Sequence, residues 1–364
     1  MGVTIVFASV RGSLAAFTAA ISATVVAAPA TVFADVTIYT GGETGAYHSS
    51  FCPVLSELLD KDGVPARCET SSGTADNMKN VSSDLSDFGY GQLDVLALKS
   101  GLYGGAERFE KVRVDDVREC LFAVTKTKDL TNFGEVAVRA SELTFVLPPE
   151  ASGSAKTFEF LQKIDPYGLG QGGAIRYAGD TDSAINAAVT DDDTVALFVQ
   201  FPDPANARFK AIQDKGGHIV PVLDRNLLDQ RLGGERVYFA QETQVANAGW
   251  LASGTKVVTA CTPLVLFTGA PNQMSDKAER ADHEAVIAKV KAYRADALLP
   301  RQSLFARVIR RTRELSSTGA EKFVSFSEQA RERAAPLLEK AREAAERAVD
   351  AAKPRLQEGD VPRQ

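Results

Sequence analysis

Three short stretches place glycine beside hydroxyl side chains where an apolar run gives way to a helical pattern. The first is Val36-Thr-Ile-Tyr-Thr-Gly-Gly-Glu-Thr-Gly-Ala-Tyr-His-Ser-Ser-Phe51, the second Ser71-Ser-Gly-Thr74, the third Ser152-Gly-Ser154. Glycines at 41, 42 and 45 let the backbone turn tightly and bring its amides close to a ligand. A helix continuing through Val54, Leu55, Leu58 and Leu59 would add free N–H groups and a positive dipole end, which suit an anion. Fixed amides and hydroxyls hold such a group with little reorganisation, and a cleft closing over them excludes water. This is chemistry for holding a ligand.

Patterns for converting one are missing. There is no G-x-S-x-G, H-E-x-x-H or C-x-x-C, and only three histidines, His48, His218 and His283. His48 lies in the first turn, as a candidate contact or as polar surface. Gly168-Leu-Gly-Gln-Gly-Gly173 matches G-x-G-x-x-G literally, but a helical pattern precedes it and a strand follows, the reverse of a dinucleotide site. Gly153-Ser-Ala-Lys-Thr157 has the end of a phosphate loop without its glycines, since Glu150 and Ala155 stand in their places. Asp191-Asp-Asp193 reads as a turn before a strand. No cofactor or metal is expected.

The elements that must position these turns alternate. Strands are expected at Val36–Thr40, Arg67–Thr70 and Asp87–Gly91, with helices at Ser49–Leu59 and Ala75–Val81. Polar loops are expected at Gly41–Ser50, Ser71–Asn77 and Gly91–Asp94. A second set follows: strands Leu143–Leu147, Arg176–Tyr177, Val195–Val199 and Ile219–Val222, helices Thr157–Lys163, Thr181–Thr190 and Asn206–Lys215. Such alternation predicts parallel sheets covered by helices, with ligands beyond the carboxyl ends of the strands. Two apolar runs, Cys120–Thr125 and Cys261–Thr268, read as buried crossovers between two lobes. Arg139 and Arg176 are candidate counter-charges in the second lobe.

Composition sets the compartment and the partners. The 364 residues are 45% hydrophobic and 24% charged, enough for two lobes, and the net charge of −6 gives no nucleic-acid footprint. Arg11 is the only charge before Asp35. The apolar stretch Leu14–Ala28, ended by Pro29 and followed by Val32-Phe-Ala34, reads as a cleaved export signal, residues 1–34. Four cysteines in an exported chain favour disulfides over free thiols. The reading prefers Cys52–Cys68, tying a helix to the following strand, with Cys120–Cys261 stapling the crossovers, over the two other connectivities.

The C-terminal part is helical. Ser275–Asp296 has helical spacing, and Arg301–Arg313 carries five arginines beside apolar residues. Ser317–Gly319 reads as a linker to a narrow apolar stripe from Phe323 to Ala352, with Pro336 breaking it or starting a new helix. A solvated appendage packed loosely on the body or on a second chain is expected, with a membrane surface as a lesser option for its basic segment.

The first turn, together with Ser71-Ser-Gly-Thr74, Asn77 and Asp87-Phe-Gly-Tyr-Gly-Gln92, resembles the TAXI family of TRAP-transporter solute receptors. The similarity extends to Ser152-Gly-Ser154 and Val195–Pro202 and covers about residues 35 to 275. The sequence departs from the family at Ser72-Gly-Thr74, which shortens a glycine pair, and at Asp76, where glutamate is usual. The resemblance implies an α/β, two-lobed type II periplasmic-binding-protein fold with, here, a C-terminal helical extension. Lobe 1 would comprise 35–122 and 260–300, lobe 2 123–259, and the extension 301–364. It further implies a periplasmic receptor that closes on a small anionic organic solute, an amino acid or carboxylate, and delivers it to a TRAP-type membrane permease. By position, Gly42, Thr44, Gly45 and Tyr47 would line one wall with Ser72, Gly73, Thr74 and Gln92 beside them, and Ser152, Gly153 and Ser154 would face them. Tyr47 would pack on the ligand's carbon skeleton. The alternative is a periplasmic sensor that signals to a partner protein through its helical tail, with an enzyme third.

Overall fold

The computed structural model describes residues 33–203, 206–245, 255–299, 313–315 and 317–357. The expected export signal falls almost wholly outside them, as does the basic segment at 301–312.

The β-branched and aromatic residues of Val36–Tyr39 form β1. A π turn at Tyr47–Phe51 leads into α1 (Cys52–Lys61), then β2 (Ala66–Glu69), α2 (Thr74–Ser83), β3 (Phe88–Gln92) and α3 (Leu93–Lys99). The long strand β4 (Phe109–Thr125) leaves this half. The second half runs α4 (Phe133–Val138), β5 (Thr144–Leu147), α5 (Gly153–Ile164), β6 (Ala174–Tyr177), α6 (Thr181–Thr190), β7 (Thr194–Gln200), α7 (Ala207–Asp214), β8 (His218–Pro221) and α8 (Arg225–Leu228). A small hairpin, β9 (Arg231–Leu232) and β10 (Glu235–Arg236), precedes β11 (Phe239–Gln244) and the returning strand β12 (Lys256–Gly269). The chain continues through α9 (Lys277–Ala292), α10 (Ala295–Leu298), β13 (Arg313–Glu314) and α11 (Ser317–Gln357).

Pairing reveals one plan used twice. In the first half β2, β1 and β3 are parallel neighbours, then β12 inserts antiparallel between β3 and β4. In the second half β6, β5 and β7 are parallel neighbours, and the end of β4 inserts antiparallel between β7 and β8. Each half therefore borrows one strand from the crossover that links it to the other. This is the α/β, two-lobed type II periplasmic-binding-protein fold, with a C-terminal helical extension. The expected lobe boundaries, 122/123 and 259/260, fall inside β4 and β12.

Four apolar clusters hold these layers, the smallest being Met78, Val81, Leu93 and Leu96 with Phe109 and Phe267. Ile38, Leu55, Leu59 and Phe88 pack with Leu264 and Leu266 against Val286, Ile287 and Val290 of α9. Phe145, Phe158, Leu197 and Val220 form the second cluster, which α11 covers with Ala320 and Val324. On the other face of the second sheet Phe122, Phe198, Phe209 and Ile212 surround the half-way point of the crossovers.

Both preferred disulfides are present. Cys52–Cys68 ties α1 to β2, and Cys120–Cys261 joins directly opposed residues of β4 and β12.

Four expectations need correction. The segment 91–94 is no loop: β3 passes straight into α3, because the Asp94 carboxylate accepts the Val95 N–H and favours a helix N-terminus there. Residues 317–319 are no linker; serine, threonine and glycine suit a first helical turn, and α11 begins with them. Pro336 neither breaks nor restarts α11. It lies exposed, where the carbonyl it leaves unpaired can reach water.

The last correction concerns the tail's contact with the body, which is tight. A Cβ on Gly134 of α4 would lie 2.2 Å from the Ser327 carbonyl oxygen, so glycine alone lets the two backbones meet. The Ser327 hydroxyl donates to the Leu223 carbonyl at 2.9 Å. Arg331 forks onto Asp165 at 2.8 and 3.1 Å and reaches Asp224 at 2.9 Å, both carboxylates being almost fully buried.

Cross-links constrain the unfolded chain by their loop length. Separations of 16 and 141 residues correspond to roughly 3 and 5 kcal/mol in the chain-entropy account. Denaturant titration should therefore show Cys120→Ala/Cys261→Ala losing more stability than Cys52→Ala/Cys68→Ala. Reductant should lower the wild-type melting temperature, and an unchanged value would contradict both bridges.

Candidate functional site

The three turns occupy the carboxyl ends of β1, β2 and β5, where helix N-termini gather. Gly41 takes a φ of 138°, a conformation that glycine accepts and L side chains resist. The Gly45 N–H closes the first turn on the Gly42 carbonyl at 2.8 Å. Gly42, Thr44 and Gly45 are exposed at the rim, while Tyr47 turns inward and is half-buried. In the second turn the Ser71 hydroxyl donates to the Asn77 side chain at 2.5 Å and accepts the Gly73 N–H at 3.1 Å. Asn77 in turn donates to the Tyr90 carbonyl at 2.7 Å, locking the turn to β3. In the third, Ser152 caps α5 by accepting the Ala155 N–H, and the buried Ser154 hydroxyl accepts the Val199 N–H at 2.9 Å.

The second and third turns touch. A Cβ on Gly73, whose φ is 130°, would lie 3.3 Å from the Gly153 nitrogen. A Cβ on Gly153 would lie 2.3 Å from Gln92 Oε1. Gln92 sits at the end of β3, 4% exposed, with its backbone N–H on the Thr74 hydroxyl at 3.3 Å. Gln92 and the Ser152–Ser154 turn thus meet from opposite halves. Beside this contact a cavity of about 340 Å³ opens, lined by Ser72, Asp76, Lys79, Glu150 and Lys156 among others.

Two buried carboxylates lie behind the turns, and neither was picked out from the sequence. Glu119, on β4, receives the Tyr47 hydroxyl at 2.5 Å and Gln92 Nε2 at 2.9 Å, both on Oε2. The residue keeps some solvent contact, but enough protein surrounds its carboxyl for burial to push the pKa up to about 7 against the pull of those two donors. Burial, with the adjacent Glu119 charge, also raises the Tyr47 phenol well above its ordinary value, so Tyr47 stays a donor. Asp94, fully buried in α3, accepts the Thr157 hydroxyl of α5 at 2.6 Å and the Tyr238 hydroxyl at 2.8 Å. Burial raises its pKa, and these hydrogen bonds oppose the rise. The available signal was a lone acid in each of two apolar runs, Leu93–Leu98 and Val117–Thr125.

An aromatic group walls the Glu119 side. Tyr47 stacks on Tyr90 with centroids 5.8 Å apart, and Phe201, just past β7, stands 6.2 Å from Tyr47 and 5.6 Å from Phe51.

The candidate counter-charges lie elsewhere. Arg139 binds Asp129, Glu142 and Asp193, residues that precede β5 and β7 and so mark the opposite end of the sheet. Arg176 faces Asp191 at 3.5 Å on the exposed edge strand β6. His48 Nδ1 pairs with the Thr40 hydroxyl at 3.0 Å. Among the described residues no cluster of histidine, cysteine or acid has metal-binding geometry.

The Gly153–Gln92 approach is testable. Gly153→Ala should destabilise the protein by about 1–3 kcal/mol through overpacking, measured by urea titration. Adding Gln92→Ser should restore at least half of the loss. An unaffected Gly153→Ala would mean that the two halves do not meet there.

No family model matches the chain, and no curated protein sequence matches it. Among solved structures, a periplasmic transporter structure is similar at 9% identity and a TM-score of 0.43, covering 84% of this chain and 97% of the other. The MatC protein of Rhodopseudomonas palustris, solved with malate, is similar at 14% identity and a TM-score of 0.40, with coverages of 81% and 98%. PhnD1 of Prochlorococcus marinus, in complex with methylphosphonate, is similar at 10% identity and a TM-score of 0.43, with coverages of 81% and 97%. Likenesses this distant assign neither a family nor a ligand to the chain.

Proposed function

We propose that the protein is an exported periplasmic solute receptor of the TAXI type. It captures a small anionic organic solute, an amino acid or carboxylate, between lobe 1 (35–122 and 260–300) and lobe 2 (123–259). It then delivers the solute to a TRAP-type membrane permease. The observation that carries this reading is the meeting of Gln92 and Gly153, one from each half, beneath two helix N-termini. A solute carboxylate held there would take fixed N–H donors from α2 and α5, and hinge closure would bury it. Gly42, Thr44, Gly45 and Tyr47 would form one wall with Ser72, Gly73 and Thr74, and Ser152, Gly153 and Ser154 the other. The residues that bind also pack the two halves together, which suits a receptor with closed and open states and no chemical step.

A second reading is favoured by one observation. The α5 helix, whose first residue faces Gln92, ends at Asp165, which Arg331 of the tail grips. A ligand-driven shift at Gly153 would reach α11 through one rigid helix, as a sensor signalling to a partner protein requires.

Thermal-shift and calorimetric screening against amino acids and dicarboxylates should find a stabilising ligand, worth about 2.7 kcal/mol at a hundredfold excess over Kd. Gln92→Ala with Ser152→Ala should weaken its binding at least tenfold. Failure of every carboxylate, phosphate and phosphonate to bind would remove the receptor reading. Deleting residues 338–364, which leaves the Ser327 and Arg331 contacts in place, decides between the two roles: a receptor keeps its permease partner, whereas a sensor loses its partner with ligand affinity intact.

A further inference from the structure

The interior of the proposed cleft has more acceptors than donors. Glu119 Oε2 already takes both neighbouring donors, the Tyr47 hydroxyl and Gln92 Nε2. Gln92 Oε1, on a side chain 4% exposed, is buried without a hydrogen-bond partner. Thr262 lies directly opposite Glu119 in the β4–β12 register, so the two side chains share a face, and its fully buried hydroxyl is also unpartnered. Tyr47, which reaches Glu119, belongs to a cluster of rings with Tyr90, Phe51 and Phe201, whose faces are electron-rich.

Among the described residues no cation compensates Glu119. Asp94 is the charged group that bears on its carboxyl, and it is another acid. Arg118, its neighbour along β4, points to the opposite face, as strand alternation requires, and its guanidinium lies 3.7 Å over the Phe239 ring. Tyr47 is neutral, and Gln92 and Thr262 carry no charge. A simple carboxylate, phosphate or phosphonate entering this corner would meet Glu119 with like charge. An ammonium group presents three N–H donors and no acceptor, and it is attracted both by the carboxylate and by the aromatic faces.

Resting on the receptor reading above, we propose that Glu119 is the specificity residue of the cleft, and that it selects solutes bearing a protonated amine beside their carboxylate. The amine sits between Glu119, Gln92 Oε1 and the Thr262 hydroxyl, within the aromatic wall. The carboxylate of the same molecule is directed to the N-termini of α2 and α5. The ligand class is thus an α-amino acid or a similar zwitterion, and the deaminated acids of the same skeleton are rejected.

The pH dependence has a defined sign. The Glu119 carboxyl, raised to about 7, is partly protonated in the free protein near neutrality, and an amine binds its ionised form. Affinity for an amine ligand therefore rises from about pH 6 to about pH 8, where the acid gives up its proton. A Glu119→Gln variant loses that rise.

The experiment is paired calorimetry on the full mature chain, using the proteinogenic L-amino acids and the 2-oxo acid of each carbon skeleton. At least one amino acid should bind a hundredfold or more tighter than its 2-oxo partner. Glu119→Gln, with melting temperature checked, should cut that ratio to threefold or less, mainly by weakening the amino acid. Equal or tighter binding of the 2-oxo acids by the wild type, which needs no variant to fold, overturns the proposal and leaves the receptor reading standing. Binding of neither series overturns the proposal, and the receptor reading then rests on the wider screen of carboxylates, phosphates and phosphonates. A Glu119→Gln variant that folds and keeps the hundredfold ratio overturns the assignment to Glu119.

Discussion

Two strands are shared by both halves of the molecule, and every other arrangement depends on that sharing. The β4 strand is the last of the first sheet and the inserted strand of the second; β12 is inserted in the first sheet and leaves from the second. Relative movement of the halves must bend these strands, and Cys120–Cys261 binds them where they cross. Successive residues of a strand point to opposite faces. The disulfide therefore faces the core around Phe122 and Phe198, and the adjoining Glu119–Thr262 pair faces the candidate site. On the proposed hinge closure, a group at this fulcrum would move little and Gly73 and Gly153, out on the turns, would move most, so the carboxylate would stay fixed while the surrounding walls change.

On the same proposal, Asp94 would keep closure reversible. Its hydrogen bonds to Thr157 and Tyr238 tie α3 to the second half, and bonds to a charged group contribute about 1.5–3 kcal/mol each. Burial strips water from the carboxylate, which is why its pKa is raised. On the proposed hinge motion, opening would lose the hydrogen bonds and regain the hydration. The two terms would oppose each other, so a ligand with a modest preference for the closed form could shift the population.

Much of the fold was legible because it is written in local patterns. The alternation of apolar runs and helical stretches located most strands, though not β11 or β13 and only the ends of β4 and β12, and the compartment implied by the expected leader made disulfides the natural reading of Cys52, Cys68, Cys120 and Cys261. The turns at 41–47, 71–74 and 152–154 were legible as glycine beside hydroxyls. Glu119 and Asp94 were not, because a lone acid in an apolar run reads as a boundary until the partner strand or helix is known. Their significance lies in Tyr47, Gln92, Thr157 and Tyr238, which are between 27 and 144 residues away. Arg139 lies at the opposite end of the sheet, and Arg176, near the carboxyl end of the exposed edge strand β6, faces Asp191; the sequence shows neither pairing. The tail was misread where composition was the guide: Ser317–Gly319 and Pro336 resemble interruptions, yet the contact of Gly134 with Ser327 and the Arg331 fork fix the helix whatever its propensity.

That fork gives the tail a place in the mechanics. An α-helix of 12 residues such as α5 is about 18 Å long and stiff at that length. Its N-terminal glycine abuts Gln92, and its C-terminal cap, Asp165, is held by Arg331 together with Asp224. Both carboxylates are almost fully buried, so removal of the guanidinium would leave two desolvated charges without a cation, a costly state. The second half is therefore stable with α11 in place, and the position of α5, hence of Gly153, is set partly from the tail. Burial of Ala320 and Val324 in the same core adds an apolar anchor that salt does not weaken. The extension is thus connected to the candidate site through packing and charge at the far end of one helix.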